Sequence, residues 1–226
     1  MTQTSLPQIA VLGGTGNLGY ALARRWVKAG YTVHIGSRGA DKAQEAATKL
    51  SADVGKPVRS GTNRDVAAAA DIVVITVPFA SQAAILEDIK PVVGGKLVVD
   101  TTVPLVPPKV MRVQLPAEGA AALIAQKMLG AGVTLVSAFH SVAAHKLVTD
   151  VDVECDVLVF GDDKAARKRV IALAEAAGLR GLHGGSLANS AAAEALTSIL
   201  IFLNKTYAVD GAGIRITGQL VPPADE

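Results

Sequence analysis

The chain's 226 residues, half of them apolar and only 4% aromatic, suffice for one α/β domain whose core rests on Ala, Val, Leu and Ile. A formal net charge of +2 without a dense Lys/Arg cluster excludes a nucleic-acid footprint, and a single cysteine, Cys155, excludes an internal disulfide. Residues 1–8 do not read as a signal peptide, and the longest apolar stretch, 196–203, is too short to span a bilayer, so a soluble, cytoplasmic protein with no membrane partner is expected.

The first element is a strand over 9–12, a short apolar run with the β-branched residues that buried parallel strands favour. Gly14, Gly16 and Gly19 then form G-x-G-x-x-G, and 18–28 reads as a helix from the spacing of Leu22, Trp26 and Val27. Glycines collect in turns for steric reasons alone. Strand, loop and helix in this order, however, make a dinucleotide pyrophosphate site. Gly14 turns the chain, Gly16 admits the phosphates to the backbone, Gly19 lets helix pack on strand, and the helix N–H groups face the anion.

Gly30 is a C-cap, and 32–35 is the second strand. At the end of this strand NAD-binding chains carry Asp or Glu to accept from the ribose 2′-hydroxyl. Here the chain reads Gly36-Ser37-Arg38, with Lys42 in the first turn of a helix over 42–50. A carboxylate would repel a 2′-phosphate, whereas a guanidinium offers it a planar fork of donors. The predicted cofactor is NADP(H).

Beyond it, 54–59 reads as a short strand or excursion, 65–70 as a turn of helix, 71–77 as a buried strand and 81–89 as a helix. Loops at the carboxyl ends of the strands line the ligand crevice of a doubly wound sheet, which makes Thr76, Val77, Pro78 and Phe79 candidates for the nicotinamide ribose and ring. The next strand is 97–100. Residues 104–118, with four prolines, hold no regular element and read as a binding loop or a surface excursion. A helix over 120–129 and a strand over 134–138 lead to His140, a candidate donor to a substrate carbonyl. Further on, 157–160 is a strand, 165–177 a helix, 179–183 a strand and 189–203 a long apolar helix. A helix apolar nearly all round is buried in its own core or against a second subunit, and a homodimer is expected. Residues 211–219 read as an extended closing segment and 222–226 as a frayed tail. No Cys/His/Asp cluster has metal-ligand spacing, so no metal is expected.

Several stretches together resemble the NADPH-dependent coenzyme F-420 reductases. They are IAVLGGTGNLGYALA, IGSRGADKA, DIVVITVPF, VSAFHSVAAH, FGDD and LANSAAAEALTSIL, spread from Ile9 to about Ile216 in the family's order. The resemblance implies a Rossmann-type, doubly wound, mainly parallel sheet with a small C-terminal helical extension, divided into an NADP-binding part over 1–150 and an α/β extension over 151–226 that carries the acceptor site and dimer contact. It implies that Thr15, Gly16, Asn17 and Leu18 hold the pyrophosphate and that Ser37, Arg38 and Lys42 hold the 2′-phosphate. Val77, Ser81, Val103 and Ala144 then lie along the cofactor, and His140 and Val142 beside the deazaflavin. The family carries Trp where this chain has Phe79, often His where it has Ser81, Ser-Pro-Leu-Val-Pro where it has residues 100–104, and Thr-Ile-Pro-Ala where it has Ser141-Val142-Ala143-Ala144. All these departures lie on the nicotinamide and acceptor side.

The expected activity is hydride transfer between NADP(H) and F-420, which needs close stacking and orientation but neither nucleophile nor metal. A small-molecule acceptor is the expected partner. Alternatives are an NADPH-dependent reductase of a flavin, a pterin or a ferric centre, a small imino- or hydroxy-acid dehydrogenase, or a non-catalytic NADPH-binding Rossmann module. The dehydrogenases need a group poised for proton transfer and a larger C-terminal domain. On the C-terminal helix, Asn189 and Glu194 read as capping groups in the core or interface, within reach of the acceptor.

Overall fold

The computed structural model describes residues 6–221; the tail over 222–226 lies outside the described residues. Eight strands form one sheet: β1 (Ile9–Leu12), β2 (Val33–Ser37), β3 (Arg59–Thr62), β4 (Ile72–Ile75), β5 (Leu97–Asp100), β6 (Thr134–Ser137), β7 (Asp156–Phe160) and β8 (Arg180–Gly185). Their order is β3-β2-β1-β4-β5-β6-β7-β8, and every pair is parallel except β6 with β7. The helices are α1 (Asn17–Lys28), α2 (Ala40–Val54), α3 (Asn63–Ala69), α4 (Phe79–Ile89), α5 (Ala121–Leu129), α6 (Ala144–Leu147), α7 (Lys164–Ala176) and α8 (Ser190–Tyr207). This is the doubly wound, Rossmann-type architecture expected.

Both faces of the sheet are covered, which is why its strands read as continuous apolar runs. Ile9, Val11, Ile72, Val74 and Val99 join Trp26 and Leu173 in the core under α1, α2 and α7. Their neighbours Ala10, Leu12, Val73, Ile75 and Val98 join Leu86, Ile89 and Ala125 on the other face, under α3, α4 and α5. Trp26 ties the first core together: its Nε1–H donates to the Leu173 carbonyl at 2.8 Å, and the Phe139 ring meets it edge-on with centroids 6.0 Å apart.

Several boundaries differ from expectation for local reasons. Helix α2 runs through Val54, ending on the left-handed Gly55, so the third strand is Arg59–Thr62 rather than 54–59. Strand β4 stops at Ile75, and α4 starts at Phe79 with Pro78 as its N-cap residue; Thr76, Val77 and Pro78 are therefore loop. The closing segment over 211–219 forms no strand but is pinned to Asp156. The Asp156 N–H donates to Ile214 O at 2.8 Å, Ile216 N–H donates to Asp156 Oδ2 at 2.6 Å, and Arg180 holds the same carboxylate bidentately at 2.7 and 2.6 Å.

The C-terminal helix is longer than expected. With the 3-10 turn before it, Leu187–Tyr207 is long and apolar enough to cross a membrane by length and composition, beyond what 196–203 alone suggested. Glu194 within it bonds the first turn of α5, so one side of the helix is packed against protein. Ile199 and Phe202 are nearly half exposed on its outer side, 45% and 49%.

Candidate functional site

The register aligns the carboxyl ends of five strands. Gly36, Leu12, Ile75, Asp100 and Ser137 lie in one row across β2, β1, β4, β5 and β6. The segments that leave this row carry nearly all the candidate residues: 13–18 after β1, Ser37 and Arg38 at β2, 76–81 after β4, 101–103 after β5 and 138–144 after β6. The strand order reverses between β1 and β4, the position where a crevice opens in an open α/β sheet.

The glycine loop is tighter than the fingerprint suggests. Gly13, not Gly14, makes the turn: it alone of the loop's glycines has positive φ, +73°, and a Cβ there would come within 2.7 Å of Val77 Cγ1. Gly14 is needed because a Cβ would sit 2.9 Å from the Val11 carbonyl and 3.1 Å from Ile35 Cγ2; its N–H donates to Gly36 O at 3.1 Å, tying the loop to the end of β2. Gly19 packs helix on strand as expected, with Thr76 Oγ1 and the Gly14 Cα filling the place of a side chain. At Gly16 only the Gly13 carbonyl, at 3.3 Å, approaches that place. No side chain caps α1, so its first N–H groups are left for a ligand. Thr15, Gly16 and Asn17 are exposed there, and Leu18 is half-buried.

Asn63 is a component that sequence reading missed. It is buried, and its Oδ1 accepts from Gly13 N–H at 3.3 Å while packing where a side chain on Gly36 would sit. An Asn one residue past an edge strand carries no motif that would single it out.

At the end of β2, Ser37 is buried and Arg38 exposed, and Lys42 is exposed in the first turn of α2. Neither cation has a hydrogen-bond or ion-pair partner among the described residues. Two unpaired cations beside a serine and an uncapped helix N-terminus form an anion-binding corner that fits a 2′-phosphorylated dinucleotide. Val77 is half-buried against Gly13; Pro78 is exposed and Ser81 half-buried at the start of α4; Val103 is half-buried on the loop after β5, and Ala144 half-buried as the first residue of α6.

His140 lies deeper than its neighbours. It is 7% exposed; its Nε2 shares a hydrogen bond with Ser137 Oγ at 2.7 Å, and its ring tilts against Phe160, centroids 6.1 Å apart. Burial pushes it down to about 4, so the imidazole is neutral at physiological pH. Phe139 just before it has φ +67°, an uncommon conformation for an aromatic residue, held by the ring's burial against Trp26. Strand β7 meets β6 only at Phe160 with Ser137, so the rest of β7 runs past the end of β6 beside the 138–144 segment. The small cavity there, about 10 Å³, is lined by His140, Ser141, Val142, Ala193 and Ile214. It is too small to admit a ring system.

Of the two capping expectations on the C-terminal helix, that for Glu194 is met: it accepts from the N–H groups of Ala121 and Ala122 at the start of α5, at 2.6 and 3.1 Å. Asn189 is instead exposed at the start of α8 with no side-chain cap bond, and its Nδ2 donates to Gly184 O at 3.0 Å. Sequence reading missed the buried partners of this corner, Gln82 and Asp100. Among the described residues no group of three or more His, Cys, Asp or Glu is placed to hold a metal ion.

Comparison with known proteins shows what the chain as a whole is similar to. Residues 8–104 match the family described as NADP oxidoreductase coenzyme F-420-dependent. The chain is 39% identical over 226 residues to the F-420-dependent NADP reductase of Methanothermobacter thermautotrophicus, covering 96% of this chain and 97% of that protein. It is 38% identical over 221 residues to the F-420-dependent NADP reductase of Methanocaldococcus jannaschii, covering 93% and 98%. A solved structure from an Arthrobacter species has the same fold, with TM-score 0.79 and 24% identity over 94% of this chain and 100% of that one. Full-length similarity at this level, on a sheet whose carboxyl edge carries the glycine loop and the Ser37–Arg38–Lys42 corner, assigns the chain to the family of the F-420-dependent NADP reductases.

Proposed function

We propose that this chain transfers a hydride between NADP(H) and the deazaflavin coenzyme F-420. The observation that carries the reading is full-length similarity to reductases of that name, at 39% identity, in a chain whose β2 ends in unpaired cations instead of an acid. When bound, NADPH supplies the hydride from nicotinamide C4 and the deazaflavin accepts it at C5. The protein's part is to bind, orient and exclude water.

In this reading the N–H groups of residues 15–18 and the α1 dipole hold the pyrophosphate. Ser37, Arg38 and Lys42 take the 2′-phosphate. Val77, Pro78, Ser81, Val103 and Ala144 flank the nicotinamide half along the carboxyl edge. Val142 offers an apolar surface to the deazaflavin. His140, neutral and with Nε2 engaged by Ser137, retains Nδ1 for a hydrogen bond to a ring carbonyl or to water. No nucleophile or metal enters the scheme. Residues 1–150 serve the dinucleotide. Residues 151–226 serve the acceptor and the contact between two copies, with Ile199 and Phe202 on the outer side of α8 as the apolar seam. The enzyme is taken to be a cytoplasmic homodimer.

The test is steady-state reduction of F-420 by the purified protein, followed as loss of deazaflavin absorbance. Turnover with NADPH and little with NADH supports the reading; tight NADPH binding with no bleaching overturns the acceptor and leaves the dinucleotide site.

A further inference from the structure

Behind the carboxyl edge lies a buried polar cluster to which the proposed chemistry assigns no role. Gln82, Asp100 and Glu194 are each 1% exposed, and Thr102 is 2% exposed. Asp100 ends β5, Gln82 lies in the first turn of α4 and Glu194 is on α8. Among the described residues no cation pairs with either carboxyl group. A carboxyl group costs several kcal/mol to bury without full hydrogen bonding, so two carboxyl groups with a buried amide beside them need a reason beyond filling space.

Their hydrogen bonds supply one. Gln82 Nε2 donates to Asp100 Oδ2 at 2.6 Å and to the Ala121 carbonyl at 3.1 Å. Asp100 Oδ1 accepts the Thr102 N–H at 3.0 Å. Glu194 accepts from the N–H groups of Ala121 and Ala122. One connected network thus joins the start of α4, the loop after β5, the first turn of α5, and α8. Two of these segments carry residues proposed to flank the nicotinamide: Pro78 and Ser81 at the start of α4, and Val103 next to Thr102. Thr101 fixes the same loop from the other side, its Oγ1 donating to Ile75 O at 2.9 Å.

We infer that Gln82, Asp100 and Glu194 are positioning residues for hydride transfer, a role that rests on the NADPH-binding part of the function proposed above. Acting together, they hold the 101–103 loop and the start of α4 at a fixed separation, so that Val103 and Ser81 press the nicotinamide toward the acceptor. None of the three touches the reacting atoms. An apolar replacement would keep the core filled but release the Thr102 amide and the α4–α5 bridge. Networks of this kind transmit the loss of one member to the rest.

The test uses Gln82→Met and Asp100→Asn in the full chain, with three readouts: NADPH affinity by fluorescence titration, turnover with its primary deuterium isotope effect, and amide hydrogen exchange over 101–103. The inference expects NADPH affinity within about threefold of the parent and turnover lowered about tenfold to a hundredfold, the cost of a misplacement near 1 Å. The isotope effect should rise as the chemical step becomes limiting. The amide exchange over 101–103, slowed by NADPH in the parent, should lose that slowing in the variants. Unchanged turnover with faster 101–103 exchange overturns the inference. If the parent binds NADPH but passes no hydride to F-420, the acceptor assignment has failed on its own, and NADPH-dependent slowing still decides: its loss in the variants supports positioning, its retention overturns it. Should neither variant fold, the parent suffices, because a Thr102 amide that exchanges freely with and without NADPH also overturns it.

Discussion

Two buried groups displaced in opposite directions give the stability of this protein a testable pH signature. Burial, with the N–H groups of Ala121 and Ala122 opposing it and Asp100 adding to it, holds Glu194 up at about 7 against an ordinary 4.5. Burial pushes His140 down to about 4 against an ordinary 6.5. At about 1.4 kcal/mol per pH unit, each displacement corresponds to about 3 kcal/mol. The signs differ. Between pH 4.5 and about 7 the folded chain keeps a proton on Glu194 that the unfolded chain has released, so stability falls as pH rises through that window. Between about 4 and 6.5 the unfolded chain binds a proton on His140 that the folded chain excludes, so stability falls as pH drops. The two slopes cancel where the windows overlap. Subtracting the parent's curve isolates the group removed: relative to the parent, Glu194→Gln should gain about 3 kcal/mol of stability as pH rises from 4.5 to about 7, and His140→Asn should lose about 3 kcal/mol as pH rises from about 4 to 6.5. Urea unfolding of all three proteins at half-unit pH intervals gives the difference curves. Difference slopes of the same sign in both variants, or parallel curves throughout, would refute the reasoning.

Arg38→Ala should weaken NADPH by about 1–3 kcal/mol while leaving NADH nearly untouched, measured as the ratio of dissociation constants; equal losses would remove the 2′-phosphate assignment. Gly19→Ala should destabilise the chain by about 1–3 kcal/mol in thermal or urea unfolding, because its Cβ would overlap Thr76 Oγ1 and crowd the Gly14 Cα. Phe202→Glu with Ile199→Glu should shift sedimentation from dimer to monomer with folded-state circular dichroism retained, since both side chains stand on the exposed side of α8.

The parts of the fold legible in the sequence are those where one local rule dominates. Runs such as residues 72–75 and 97–100 need burial on both faces, and that requirement alone marks central parallel strands. The Gly-Ser-Arg ending of β2 stands out because an acid is missing from a position fixed by spacing. Legibility ends where the cause is non-local. Strand β3 lies at the sheet edge with a weak RSGT sequence, so its position follows from where Gly55 ends α2. The turn-making role of Gly13 was masked by Gly14 beside it, since only backbone φ and the nearness of Val77 tell the two apart. Gln82, Asp100 and Glu194 are far apart in sequence and meet only where α4, the end of β5 and α8 converge on the first turn of α5. His140 was visible as a candidate, but its burial depends on Phe160 from β7, which joins the sheet after a long connection.

The central claim is a direct transfer between two bound carriers. A single turnover with NADPH deuterated on the transferred C4 position, quenched and analysed by mass spectrometry, tests it most directly. The account predicts one deuterium at C5 of the reduced deazaflavin and none exchanged into solvent. Deuterium recovered in water, or a reduced deazaflavin carrying only protium, would contradict it.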